Sequence, residues 1–182
     1  MQIEKTEIPG VLILTPKVFG DERGFFLESY NREAFQRAGI ESEFVQDNHS
    51  RSNGGVVRGL HYQKKFPQGK LIRAIQGDVL DVIVDIRKGS PAFSRWISIL
   101  ISAENKKQVW IPGGLAHGFS VLSETAEFCY KVTDYYHPED EAGICWNDPQ
   151  LDIDWQVQNP LLSEKDASLP LLADAGEDLP LF

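Results

Sequence analysis

Short runs rich in Val, Ile, Phe, Tyr and Trp recur along the chain, separated by Gly, Pro, Asn and Asp. Such punctuation marks β-strands joined by turns. Strands are expected over 11–15, 24–30, 56–63, 70–75, 79–86, 95–102, 108–111, 119–122 and 127–136. Over 79–86 the alternation is plain: Leu80, Val82, Val84 and Ile86 share one face, and Asp81 and Asp85 the other. Gly77-Asp78, between Ile75 and Val79, has the composition of a two-residue hairpin turn. Many short strands at this spacing predict an all-β sandwich or barrel. Helix is scarce. Asn31 is placed to cap a short helix running through Ala38, with Gly39 as its stop. A second short helix is expected near Ser163, where Ser163-Glu164-Lys165-Asp166 has capping-box spacing. Beyond Leu169 the run 170–182 mixes Pro, Gly, Asp and Glu and reads as a loosely held tail.

At 182 residues the chain is expected to form one domain, 1–182, large enough for a proper core. Its 18 basic and 27 acidic side chains leave a net charge of −9. Such a surface repels phosphate backbones, so no nucleic-acid partner is expected. An anionic small molecule fits only where a few cations gather at one pocket. No stretch approaches the roughly 20 apolar residues of a membrane span, so no membrane partner is expected either. The longest early apolar run, Val11-Leu12-Ile13-Leu14, is too short for a secretory signal. Two cysteines, Cys129 and Cys145, make no disulfide framework. The cytoplasm is the expected address.

Candidate chemistry begins with a half-formed metal motif. Pro112-Gly113-Gly114-Leu115-Ala116-His117 has the Pro-x-Gly-x-x-His spacing by which cupin barrels present a ligand histidine. The partner segment, Arg58-Gly59-Leu60-His61-Tyr62-Gln63, offers one histidine where His-x-His and a glutamate would complete the set. A catalytic zinc or iron site takes about three protein ligands. Two histidines fall short, so no metal is expected; nor is an organic cofactor. His61 is instead a candidate base, because an imidazole takes up a proton near neutral pH. A histidine satisfied within a barrel wall accounts for the same residue. Lys70 could stabilise a developing oxyanion, or be a solvated lysine at a strand start. Tyr130, on the face of Phe128 and Val132, could donate a proton, or be a buried phenol with one hydrogen bond. Arg23, Arg58 and Lys165 are available cations. Strict alternation would set Arg58 and His61 on opposite faces. Joint pocket duty therefore predicts a bulge at Gly59.

Taken in order, several blocks resemble the dTDP-4-dehydrorhamnose 3,5-epimerase family. They include Phe19-Gly20-Asp21-Glu22-Arg23-Gly24-Phe25-Phe26, Phe44-Val45-Gln46-Asp47-Asn48-His49-Ser50 and Val57-Arg58-Gly59-Leu60-His61. Further along come Asp85-Ile86-Arg87, Trp110-Ile111-Pro112, Ala116-His117-Gly118-Phe119, Tyr130-Lys131 and Leu162-Ser163-Glu164-Lys165-Asp166. The resemblance implies a metal-free cupin jelly roll, a homodimer, and a dTDP-4-keto-6-deoxy sugar as substrate. It implies His61 as proton acceptor, Asp166 behind it, Tyr130 as proton donor, and Lys70 near the C4 oxygen. It implies Arg23, Glu28, Gln46, Asp47, Asn48, Arg58, His117, Glu141 and Lys165 as substrate-binding residues, with Tyr136 stacking on the thymine. The rival readings are a metal-dependent cupin sugar isomerase, a silent sugar-binding cupin, and an epimerase acting at one carbon.

Overall fold

The computed structural model describes residues 1–176 and 179–182. Its strands, among the described residues, are β1 (Gln2–Lys5), β2 (Leu12–Thr15), β3 (Val18–Asp21), β4 (Gly24–Leu27) and β5 (Gln46–Asn53). Next come β6 (Val57–Gln63), β7 (Lys70–Gln76), β8 (Asp78–Asp85) and β9 (Trp96–Ser102). The last are β10 (Gln108–Ile111), β11 (Leu115–Val121), β12 (Thr125–Val132) and β13 (Glu141–Gly143). Two short α-helices, α1 (Arg32–Arg37) and α2 (Glu164–Ala167), accompany them. No helix among the described residues is long and apolar enough to cross a membrane.

The strands build a six-stranded sheet in the order β1-β2-β10-β7-β12-β5 and a five-stranded sheet in the order β13-β6-β11-β8-β9. β3 and β4 form a hairpin of their own. All these pairings are antiparallel. The two larger sheets face each other as a cupin-type jelly roll. Between them Ile72, Val109 and Phe128 of one sheet pack with Val79, Ile83, Ile101 and Phe119 of the other. β-branched and aromatic side chains fill such a layer well, which is why these positions were legible as strands.

β8 is buried on both faces. Val79 and Ile83 belong to the layer between the sheets, and Leu80, Val82, Val84 and Ile86 to a second core outside it. That outer core is closed by Ile144, Leu151, Trp155, Leu172 and Leu179. The expected loose tail is therefore corrected. Leu172 and Leu179 are buried, the Leu172 N–H donates to the Asp148 carboxylate at 2.7 Å, and Lys88 exchanges backbone bonds with Pro180 and Phe182. The apolar side of β8 needed a cover, and burying it outweighs the breaker-rich composition of the segment. Glu177 and Asp178 lie outside the described residues.

Gly77 is a second correction. β7 and β8 are not a hairpin; they lie in different sheets, and Gly77 turns the chain from one to the other. Its φ is +71°, and a Cβ there would stand 2.1 Å from the Thr125 carbonyl oxygen. The 127–136 strand stops at Val132, and β4 stops at Leu27. β5 was not foreseen, because Gln46–Asn53 holds no apolar residue. It is an edge strand with a polar role on both faces. The capping signals hold: the Asn31 side chain accepts from the Ala34 N–H, and Ser163 caps α2.

β8 ends on a buried ion pair. The Asp85 carboxylate accepts from Arg87 Nε at 2.9 Å, from Arg87 Nη2 at 2.7 Å and from the Ser90 hydroxyl at 2.6 Å. Arg87 also donates to the Pro9 carbonyl at 3.0 Å and lies over the Phe182 ring. Burial pushes the Asp85 carboxyl up, yet the bonds from Arg87 and Ser90 hold it below its ordinary value. Asp85→Ala strands a buried guanidinium. A loss of about 3–5 kcal/mol in unfolding free energy is expected from urea titration.

Candidate active site

The site is set by a close approach of β6 and β11. A Cβ on Gly59 would stand 2.5 Å from Gly118 Cα, and one on Gly118 would stand 2.7 Å from the Arg58 carbonyl oxygen. Only glycine fits at both places. The pairing runs His117 with His61 and then Phe119 with Arg58, so two residues of β6 face one of β11. This is the bulge expected at Gly59; the Gly59–Leu60 peptide is cis. His117 and Phe119 are two apart and share a face, so Arg58 and His61 share one also. Both line a cavity of about 160 Å³ with Lys70, His117 and Tyr130.

His61 Nε2 lies 2.5 Å from Asp166 Oδ1. The other oxygen of Asp166 accepts from the Ser163 hydroxyl at 2.9 Å, while the Asp166 N–H donates back to Ser163 Oγ. One carboxylate thus serves the cap of α2 and the imidazole. Burial pushes its pKa up, but bonds from His61, Ser163 and the Gly59 N–H bring it below the usual value. An ionised Asp166 accepts the Nε2 proton, which leaves Nδ1 as the basic nitrogen.

Tyr130 projects from β12, in the sheet opposite His61, and packs against Phe128. Burial raises its phenol, Arg58 opposes that, and Glu141 adds to it. The proton therefore stays on the oxygen at neutral pH. Lys70 begins β7 and retains some surface, yet its ammonium sits in dense surroundings. Burial lowers its pKa to about 8, against the pull of Asp81 and Glu141. His61, Lys70 and Tyr130 also line an adjoining cavity of about 100 Å³ with Tyr136 and Glu141. There the Tyr136 hydroxyl donates to Glu141, and Lys165 reaches the same carboxylate at 2.5 Å. The bond to Glu141 pushes the Tyr136 phenol up to about 12.

Other expected residues stand apart. Arg23 pairs with Asp21 on the exposed β3–β4 hairpin, and Glu28 accepts from Asn31. Neither lines the cavities that hold His61. Asp47 pairs with Lys131 at 2.9 Å, in a groove with Cys129 and Arg73 that lacks His61. Gln46 bonds Asn48 at 3.0 Å, and Asn48 pairs with Tyr130 across the strands. Gln63 is used structurally. Its amide donates to the Phe66 and Tyr135 carbonyls and accepts from the His137 N–H. Among the described residues no cluster of three His, Cys, Asp or Glu side chains is arranged for a metal ion.

Over residues 5–174 the chain matches the family model described as dTDP-4-dehydrorhamnose 3,5-epimerase. It belongs to that family. A relative of the same description from Pseudomonas aeruginosa is 59% identical over 96% of this chain and 98% of its own length. One from Shigella flexneri is 58% identical over the same shares. The solved epimerase of Legionella pneumophila, in complex with dTDP-4-keto-L-rhamnose, superposes with a TM-score of 0.97. Its sequence is 52% identical, covering 100% of this chain and 98% of that one. The family is an isomerase family, and these two relatives and the Legionella structure are each covered over 98% of their own length. Asp81, fully buried and 2.6 Å from His117, was read only as a face-setting residue. A carboxylate within an apolar strand was the available signal.

If the Lys70 ammonium serves the reaction, it should set the alkaline side of the pH profile. As pH rises through about 8 its ammonium loses its proton, and kcat/KM should fall with that apparent pKa. Tyr130, raised above its ordinary value, cannot account for the limb. In Lys70→Arg the limb should vanish below pH 10, which a pH series on both enzymes will read.

Proposed function

We propose that this enzyme inverts C3 and C5 of dTDP-4-dehydro-6-deoxy-D-glucose, giving dTDP-4-dehydro-L-rhamnose for rhamnose synthesis. The family, and relatives of that name at 58–59% identity over nearly the whole chain, support the reaction. The observation that carries the residue assignment is one cavity entered by His61 from one sheet and Tyr130 from the other.

The chemistry suits this pair. A hydrogen on a carbon beside the C4 ketone is weakly acidic, because the C–H electrons pass into an enolate. His61 takes that proton on Nδ1, while Asp166 keeps Nε2–H in place and stabilises the imidazolium. The Lys70 ammonium meets the charge growing on the C4 oxygen. Tyr130 then delivers a proton to the same carbon from the opposite face, and inversion results. His61 alone would return the proton to the face it left. The proton on His61 passes to solvent and Tyr130 is reprotonated, so a second cycle acts at the second carbon. Arg58, Gln46, Asn48, His117 and Lys165 hold the sugar and diphosphate, and Tyr136 stacks on thymine with Glu141 beside it.

The reading includes a homodimer. On the β3–β4 hairpin Phe19, Phe25 and Phe26 are 53%, 60% and 68% exposed, a costly display of aromatic surface in a lone chain. A partner covering it would bring Arg23, Glu28 and Asp47 into use. We place the enzyme in the cytoplasm, which suits two free cysteines.

In deuterated water, turnover should place deuterium at both C3 and C5. Label at one carbon would mean a single-carbon epimerase, and none would mean binding alone. His61→Ala and Tyr130→Phe should each lose about 10²–10⁴-fold in kcat with folding intact. Near-normal turnover in either variant removes its assigned role. Sedimentation of the wild type should give a dimer, and Phe25→Asp with Phe26→Asp a monomer.

A further inference from the structure

Asp81 lies midway along β8, completely buried between the sheets. Oδ1 lies 2.6 Å from Nε2 of His117, at hydrogen-bond distance. Oδ2 meets no hydrogen-bond donor, and it stands alone in this among the buried side-chain polar atoms of the described residues. A buried oxygen without a partner opposes folding. Its neighbours on the same face, Val79 and Ile83, show what the core alone would select. The charge therefore has a use other than packing.

Two groups of the cavity feel that charge. His117 is the cross-strand neighbour of His61 and lines the cavity beside it. Lys70 lines the same cavity, and the field of Asp81 reaches it. Around Lys70 stand Asp81 from β8, Glu141 from β13, His117 from β11, Tyr130 from β12, and Arg58 and His61 from β6. Only Asp81 and Glu141 among these are anionic. Glu141 is already engaged by Lys165 and Tyr136.

We propose that Asp81 is a positioning residue: its carboxylate fixes His117 with Nε2–H turned to the core and keeps a negative charge near Lys70, so that the lysine stays cationic where the ketone oxygen binds. The inference rests on the reading of the site given above. It makes His117 and Lys70 one electrostatic unit, with Asp81 behind both. Without that charge, burial would drive Lys70 further toward the neutral amine, which cannot stabilise an enolate.

Asp81→Asn tests this, because the amide oxygen still accepts from Nε2–H while the charge is gone. The alkaline limb of kcat/KM should move about one pH unit downward, as expected for loss of one nearby charge in a site of intermediate dielectric. At pH 8 this amounts to a loss of about fivefold in kcat/KM, with a smaller loss at pH 6. A folded, active variant whose limb stays in place overturns the proposal. If the variant fails to fold in a thermal melt, ¹⁵N-labelled wild type answers instead. His117 should show the Nε2–H tautomer throughout pH 6–9, and Nδ1–H would overturn the proposal. The wild-type deuterium assay run alongside separates the failures: no label at C3 or C5 sinks the epimerase reading itself, whereas label with an unmoved limb sinks only the role of Asp81.

Discussion

The site depends on two glycines held face to face. Where Gly59 of β6 meets Gly118 of β11, the backbones approach more closely than any side chain permits. The extra residue this allows in β6 turns Arg58 and His61 to the same wall. Without it one of the two would point into the outer core beside Leu60 and Tyr62. Placement of a cation and an imidazole together is thus a backbone property first and a side-chain property second. It costs a ladder irregularity in the middle of a sheet, where regular pairing would be more stable.

Around that irregularity the polar groups are held by carboxylates that do more than one task. Asp166 closes the first turn of α2 through Ser163 and orients His61 with its remaining oxygen. Asp140, buried, holds the Lys65 and Phe66 N–H groups and so shapes the loop that leads to Lys70. Such double duty explains why a four-residue helix is enough. Its first turn is pinned by Ser163 and by the carboxylate that also reaches His61. The protein is acidic overall, yet Arg58 shares one cavity beside His61 with Lys70 and another with Lys165, a grouping suited to an anionic ligand.

Much of this was legible in the chain. The β-branched and aromatic runs located nearly all the core strands, since those side chains build the layer between the sheets. The caps at Asn31 and Ser163 were readable because capping is local chemistry. The bulge followed from one requirement, that Arg58 and His61 meet. What escaped was decided by distant partners. β5 is polar because its inward positions border the cavity and its outward positions carry surface pairs with β12, such as His49 with Glu127. Gly77 looked like a hairpin turn, whereas the facing Thr125 carbonyl decides its role. The terminal segment looked loose because its composition says nothing of the apolar sheet face waiting for it. His61 and Asp166 are 105 positions apart, and no spacing rule joins them. The resemblance to a family did.

The chain of Tyr136, Glu141 and Lys165 has one further effect. The Lys165 ammonium has a counter-ion within the chain, since burial pushes the Glu141 carboxyl up but Lys165 and Tyr136 keep it ionised. In the reading proposed above, an incoming diphosphate must take Lys165 away from Glu141 instead of meeting a bare cation. Binding becomes an exchange of partners, in which part of the attraction is spent on separation. On the same reading, product would leave by the reverse exchange, with Glu141 reclaiming its lysine as the phosphates withdraw. A surface built this way would hold its ligand less tightly than its cations alone suggest, which would favour turnover over retention.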